Sequence, residues 1–157
     1  MANHNGFSLF VSAAHPATND DTGFEALTWT EIAGHQQLPQ LGFTHNMIDV
    51  GDLKQGIIIG EKGAGQGVDT SVMCRELTTD AGQIILRAAA DDDQGVISFK
   101  IARGTGTANA VQTGDKVWYA QGIAHSLRDN QGTTSSYEGF EASFRQNAKT
   151  VEDTEPA

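Results

Sequence analysis

The chain has 157 residues, with 10 basic against 20 acidic side chains for a formal net charge of −10, and it is 38% apolar and 19% charged. That length suits one domain able to bury a core without disulfide or metal staples. The acidic surplus argues against binding DNA by phosphate neutralisation, and a single cysteine, Cys74, excludes an intrachain disulfide.

Glycine is frequent at 18 residues and proline rare at 3, a balance that favours tight turns and bulges between strands over a disordered linker. The opening residues 1–6 carry no basic segment followed by an apolar run, so no signal peptide is expected. Apolar runs are only a few residues long, too short to span a bilayer. The expected setting is a reducing cytoplasm.

Residues 7–13 read as a first strand, with Phe7, Leu9 and Val11 on one face. A polar loop follows His15-Pro16, then a short helical turn over 24–27. Residues 27–33 alternate as a second strand. Pro39 and Gly42 punctuate the chain before a further strand at 43–50. Residues 51–67 then hold six glycines, at 51, 56, 60, 63, 65 and 67, and read as one long loop. Residues 68–76 alternate Val68, Thr70, Val72 and Cys74 against Asp69, Ser71, Met73 and Arg75, the pattern of a half-buried strand. Cys74 reads there as a small core hydrophobe.

One helix stands out, over 81–90. Thr79 or Asp80 can act as its N-cap, Gln83 occupies the position of a capping-box partner, and Ile84, Ile85 and Ala88 form the expected packing face. Asp91-Asp92-Asp93 opposes the helix dipole and should end it. The last third is strand-rich. Ile97, Phe99 and Ile101 alternate with Ser98, Lys100 and Ala102. Residues 116–127 form a long strand, 129–132 a hairpin turn, and the return strand puts Phe140, Ala142 and Phe144 in the core. Residues 149–157 read as a polar, flexible tail, as do residues 1–6 at the other end. The whole is expected to be one domain over 1–157. It is mainly β, an antiparallel β-sandwich or barrel with one packed helix and a long inter-subunit loop.

Tests for chemistry return little. Residues 60–67 lack the Gly-Lys-Ser/Thr that leads a phosphate loop into a helix, and the GxGxxG spacing of a dinucleotide site is absent. The five histidines show no HExxH or HxH arrangement. Three consecutive aspartates cannot converge on one cation, and no GxSxG elbow occurs. No catalytic residue, cofactor or metal site is expected. What remains is the glycine-rich segment 51–67. Its Ile57, Ile58 and Ile59, flanked by Leu53 and Lys62, either dock on another subunit or form a short strand in the chain's own sheet. Docking would bury apolar surface at roughly 25 cal/mol per Å².

The order of elements resembles the tail tube (major tail) proteins of long-tailed bacteriophages. The resemblance spans nearly the whole chain. It rests on the strand Phe7-Ser8-Leu9-Phe10-Val11-Ser12, the Trp29-x-x-Ile32 element, Pro39-x-Leu41-Gly42 and Ile48-Asp49-Val50. It continues through Asp80-x-Gly82-Gln83 leading to Leu86 and Ala88, the strand Ile97–Ile101, and the terminal hairpin. The resemblance implies a subunit of hexameric rings stacked into a hollow virion tail tube, assembled in a bacterial cytoplasm. Residues 51–67 and the terminal arms would contact neighbouring copies. It further implies contacts with a tape measure protein, a tail terminator and distal tail or baseplate proteins, with DNA passing the lumen without specific binding and no membrane contact. Two other readings stay open: the tube of a contractile injection or secretion apparatus, and a monomeric β-barrel binding a small ligand.

Overall fold

The computed structural model of the chain describes residues 4–157. Ten strands and two α-helices follow in order: β1 Phe7–Ser12, α1 Asp21–Glu25, β2 Thr30–Glu31, β3 His35–Gln37, β4 Phe43–Asp52, β5 Ile57–Gly67, β6 Asp69–Arg75, α2 Ala81–Asp91, β7 Val96–Arg103, β8 Lys116–Asp129, β9 Gly139–Gln146 and β10 Val151–Thr154. The main sheet is antiparallel in the order β2-β1-β7-β8-β9-β6-β3, with β10 added beside β8, while β4 and β5 pair only with each other. This is the mainly β, antiparallel fold with a packed helix that the alternating pattern predicts.

Strands β2 and β3 lie at opposite ends of that order yet are consecutive in the chain. Residues 30–37 therefore join the two edges of the sheet and leave few unpaired backbone groups there. The junction is held by the Ile32 N–H donating to the Leu9 carbonyl (2.8 Å) and the Arg75 N–H donating to the Gly34 carbonyl (2.8 Å). The His35 ring bridges the Ile32 and Phe7 carbonyls at 3.2 and 3.1 Å. Gly34 has φ +73, a left-handed conformation that other residues adopt at a cost.

Inside this wrapped sheet lies the main core, with Leu9, Val11, Val72, Cys74, Ile97, Phe99, Phe140 and Phe144 all buried. Phe99 meets Phe144 edge to face at 4.8 Å, a favoured aromatic geometry. Burial pushes the Cys74 thiol up to about 12, so it acts as a hydrophobe and not a nucleophile. Helix α2 closes the open side. Asp80 is its N-cap and accepts from the Gln83 N–H at 3.0 Å.

The face α2 buries differs from the expected one. Gly82, Gln83, Leu86 and Ala89 point inward; Ile84 and Ala88 face solvent and Ile85 is half-buried. Two local constraints set this rotation. A Cβ on Gly82 would stand 2.3 Å from the Glu31 carbonyl oxygen, so only glycine permits the approach. Gln83 is no capping-box partner. Its side chain accepts from the Leu77 N–H (3.0 Å) and donates to the Ala33 (2.6 Å) and Arg75 (2.8 Å) carbonyls, tying the helix to the connection between β2 and β3 and to the end of β6.

A second, smaller core covers the outer face, where Phe24, Ala102, Val117 and Tyr119 are buried together. Phe24 stacks on Tyr119 at 5.1 Å. The strand expected over 27–33 shortens to Thr30–Glu31, because the chain first folds back over this cluster. There the Trp29 indole N–H donates to the Phe24 carbonyl at 3.0 Å.

The tail is not flexible as expected. Val151–Thr154 forms β10 against β8, with Val151 opposite Tyr119 and Thr154 opposite Lys116. The reason lies in β7, which is buried on both faces and so carries Lys100 into the outer core. The Lys100 side chain is only 6% exposed, and its Nζ lies 2.6 Å from Glu155 Oε2 and 4.9 Å from the Phe10 ring centre. A buried ammonium needs such a counter-charge, and residues beyond β10 supply it. At the other end, residues 1–3 lie outside the described residues, while the Gly104 N–H donates to the Gly6 carbonyl at 3.0 Å. The expected tight turn at 129–132 is instead a longer connection, residues 130–138, between β8 and β9. Among the described residues no helix is long and apolar enough to cross a membrane.

Two consequences can be measured. Glu155→Ala should lower unfolding stability by about 3 kcal/mol in urea titration by leaving Lys100 unpaired, whereas Lys100→Met with Glu155→Gln should recover most of that loss. Asp115 accepts from the Thr105 hydroxyl, the Gln112 N–H at 2.7 Å and the Thr105 N–H at 3.1 Å, and these bonds hold its carboxyl below the ordinary value of 3.8. A depressed carboxyl stabilises the fold above its unfolded pKa and loses that contribution as pH falls through the folded value. The melting-temperature gap between wild type and Asp115→Ala should therefore be full at pH 6 and shrink progressively below about pH 4.

Candidate assembly surface

The segment expected as a long loop is a β-hairpin standing apart from the body. Strands β4 and β5 pair from Phe43 opposite Gly67 to Asp52 opposite Ile57, with a register shift between His45 and Met47. The tip, residues 53–56, is closed by the Gly56 N–H donating to the Asp52 carbonyl at 2.8 Å and by the Asp52 carboxylate accepting from the Lys54 N–H at 2.9 Å. Gly56 has φ +64, as this turn requires. The sequence hides the pairing because glycine normally weakens strands. Here glycines make room for β4 side chains: a Cβ on Gly60 would lie 2.9 Å from Met47 Cε, and one on Gly65 would lie 2.7 Å from the His45 ring.

Cross-strand register fixes which side chains share a face. Val50 faces Ile59 and Ile48 faces Glu61, so Ile48, Val50, Ile57 and Ile59 line one side of the ribbon. Met47, Ile58 and Lys62 lie on the other. Ile57, Ile58 and Ile59 are 59%, 71% and 50% exposed, and Leu53 at the tip is fully exposed. The isoleucines thus belong neither to a loop nor to the main sheet. Met47, Ile48 and Val50 are exposed beside them, and their part in this surface becomes visible only through the pairing. An exposed apolar patch such as the one Ile48, Val50, Ile57 and Ile59 form on one face is a candidate interaction site. An isolated two-stranded ribbon is also only marginally stable in water.

The root of the arm, in contrast, is fixed. The Gly42 N–H donates to Gln146 Oε1 at 3.0 Å, and Gln146 Nε2 donates to Thr150 Oγ1 at 2.7 Å. Gln146 is buried. Gly67 packs so closely on β9 that a Cβ would stand 1.9 Å from the Gln146 carbonyl oxygen.

Side-chain chemistry elsewhere is structural in character. His125 contacts Ser126 Oγ at 2.8 Å and Asp69 Oδ1 at 3.0 Å, a grouping invisible in sequence because Asp69 is distant. It resembles an acyl-transfer triad in composition, but Ser126 and Asp69 are exposed and His125 is only half-buried. Its role is to tie β8 to β6 beside the bulge where Ser126 takes φ 54.

No family model and no curated protein sequence matches this chain. Solved structures do match. One chain from the extracellular contractile injection system PVC, in its sheath/tube terminator in the extended state, superposes with a TM-score of 0.65 at 11% identity, covering 98% of this chain and 96% of that one. Another, from the PVC sheath-tube complex, gives 0.60 at 10% identity over 94% and 88%. A chain of the anti-feeding prophage baseplate, 6-fold symmetrised, gives 0.64 at 9% identity over 99% and 96%. The fold is therefore that of chains found in tube, terminator and baseplate assemblies.

Because the arm isoleucines touch solvent, replacing Ile57, Ile58 and Ile59 together with serine should change the unfolding free energy of the dilute protein, read by urea titration, by no more than about 0.5 kcal/mol per site. Gly67→Ala should destabilise it by about 1–3 kcal/mol, because the β9 backbone cannot yield.

Proposed function

We propose that this protein is a structural subunit of a phage-type tail tube, and that it self-assembles through the β4–β5 arm. The observation that carries this reading is the free-standing ribbon. It displays seven exposed large hydrophobic side chains, Met47, Ile48, Val50, Leu53, Ile57, Ile58 and Ile59, on an otherwise well-buried body. Transfer of each from half-exposed to buried contributes about 1 kcal/mol, so the set can outweigh the cost of ordering two subunits. Leu53, Ile57–Ile59 and Lys62 act as the self-association elements.

The shared fold supports the tail role, and the six-fold symmetry of one matching assembly supports hexameric rings. Stacked rings would form a conduit for DNA, and a chain of net charge −10 suits a wall that DNA passes without sticking. Tape measure, terminator and distal tail or baseplate proteins are the partners this role requires, and the virion tail its place. A second reading, the tube or terminator of a contractile injection apparatus, is favoured by the origin of the matching structures.

Negative-stain microscopy of the concentrated protein tests assembly and separates a tube subunit from a terminator. Stacked hollow rods are expected of a tube subunit, and single rings that never stack would indicate a terminator. A strictly monomeric species at every concentration would remove the assembly reading. The triple serine variant at Ile57, Ile58 and Ile59 should stay folded and lose assembly.

A further inference from the structure

We infer that the arm of one copy seats its tip in the groove beside α2 of a second copy, with Leu53, Ile57 and Ile59 on the groove floor and Lys54 against the acidic end of the helix. This rests on the assembly reading above and names the receptor that reading lacks. The groove has a volume of about 730 Å³ and is lined by Ala14, His15, Ile84, Ile85, Ala88 and Asp92, among others. Such a volume takes several side chains.

Two features point to a second copy as occupant. Outside the arm, the exposed large hydrophobics among the described residues are Ile84, which lines this groove, and Tyr137. The outward rotation of α2 described above places Ile84 and Ala88 on the surface instead of in the core. The second feature is charge. Asp91, Asp92 and Asp93 crowd the C-terminal end of α2, whose last turn holds no basic residue. The helix dipole adds further negative character there. The arm tip offers the complementary pattern, an exposed Leu53 followed at once by Lys54. Lys54 differs from Lys100, Arg87 and Arg128, each of which already has an acidic partner in its own subunit. Asp92 is partly engaged, accepting from the Gln94 and Gly95 N–H groups at 3.3 Å, so Asp91 and Asp93 are the groups free to meet the lysine. The docked pair would be a solvent-exposed contact at the rim of an apolar interface, which fixes register more than it adds affinity.

The test is a disulfide between copies. In the full chain carrying Leu53→Cys with Ala88→Cys, oxidation under assembling conditions should yield a covalent ladder on a non-reducing gel, absent from either single variant. Buried Cys74 stays silent. Assembly without a ladder would overturn the groove as receptor while leaving the tube reading intact. A monomer whose new thiols have joined each other would show the arm folding onto its own groove, and would equally overturn docking between copies. A wild-type chain that never assembles would overturn both. Should the double variant itself fail to assemble, the charge pair decides. Lys54→Glu should raise the concentration needed for assembly by about tenfold and Asp91→Lys in the same chain should restore it; no effect of Lys54→Glu, or no restoration, would overturn the inference.

Discussion

The structure depends on one imbalance: the body of the subunit, apart from one flank of α2, covers its own apolar surfaces, and the arm does not. The sheet is joined edge to edge by residues 30–37, and both faces of β7 are covered. Against that background the β4–β5 ribbon carries its apolar side chains into water with support only at its root. Hydrophobic burial is the dominant favourable term in association as in folding, so the arm is the largest apolar surface among the described residues that another molecule could cover.

The body reaches its closed state through polar ties as much as through its core. Gln83 joins α2 to the segments on either side of it, and Asp80 bonds both the helix and the Ala33 N–H. Lys100 illustrates the same logic with charge. Its place on a doubly covered strand follows from the alternation of β7, and the counter-charge has to come from an element that reaches the outer core. Its contact with Glu155 is ionic, with no aligned hydrogen bond to Oε2. The rotation of α2 that follows from Gly82 and Gln83 leaves an apolar flank on the outside, so a constraint internal to the fold has a consequence at the surface.

Much of this is legible in the sequence, and the exceptions have physical causes. Strands with a clean period of two, β1, β6, β7 and β9, are readable because one residue in two is apolar and buried. The N-cap of α2 is readable because Asp80 stands where an orphan N–H needs an acceptor. The buried face of α2 is not, because counting isoleucines ranks side chains by hydrophobicity, while the real orientation is set by a glycine contact and a glutamine with three bonds. The ribbon reads as a loop because its glycines lower strand propensity, although here they accommodate Met47 and His45. The last strand escapes a reading by pattern because its residues are polar. What draws them in is one lysine on a strand far back in the chain. The apolar character of the arm is evident from Ile57, Ile58 and Ile59 alone, whereas the contribution of β4 needs the register.

The glycines of β5 also bear on mechanics. A hairpin pulled at its tip carries the load along two already extended backbones in parallel and so resists lengthening, yet positions without side chains offer little resistance to twisting or bowing. The arm is then inextensible but pliant, anchored at Gln146 as a strap is at a rivet. In the proposed assembly, copies linked by such straps would tilt against one another while keeping their spacing, a property suited to a long filament that must flex without opening gaps along its length.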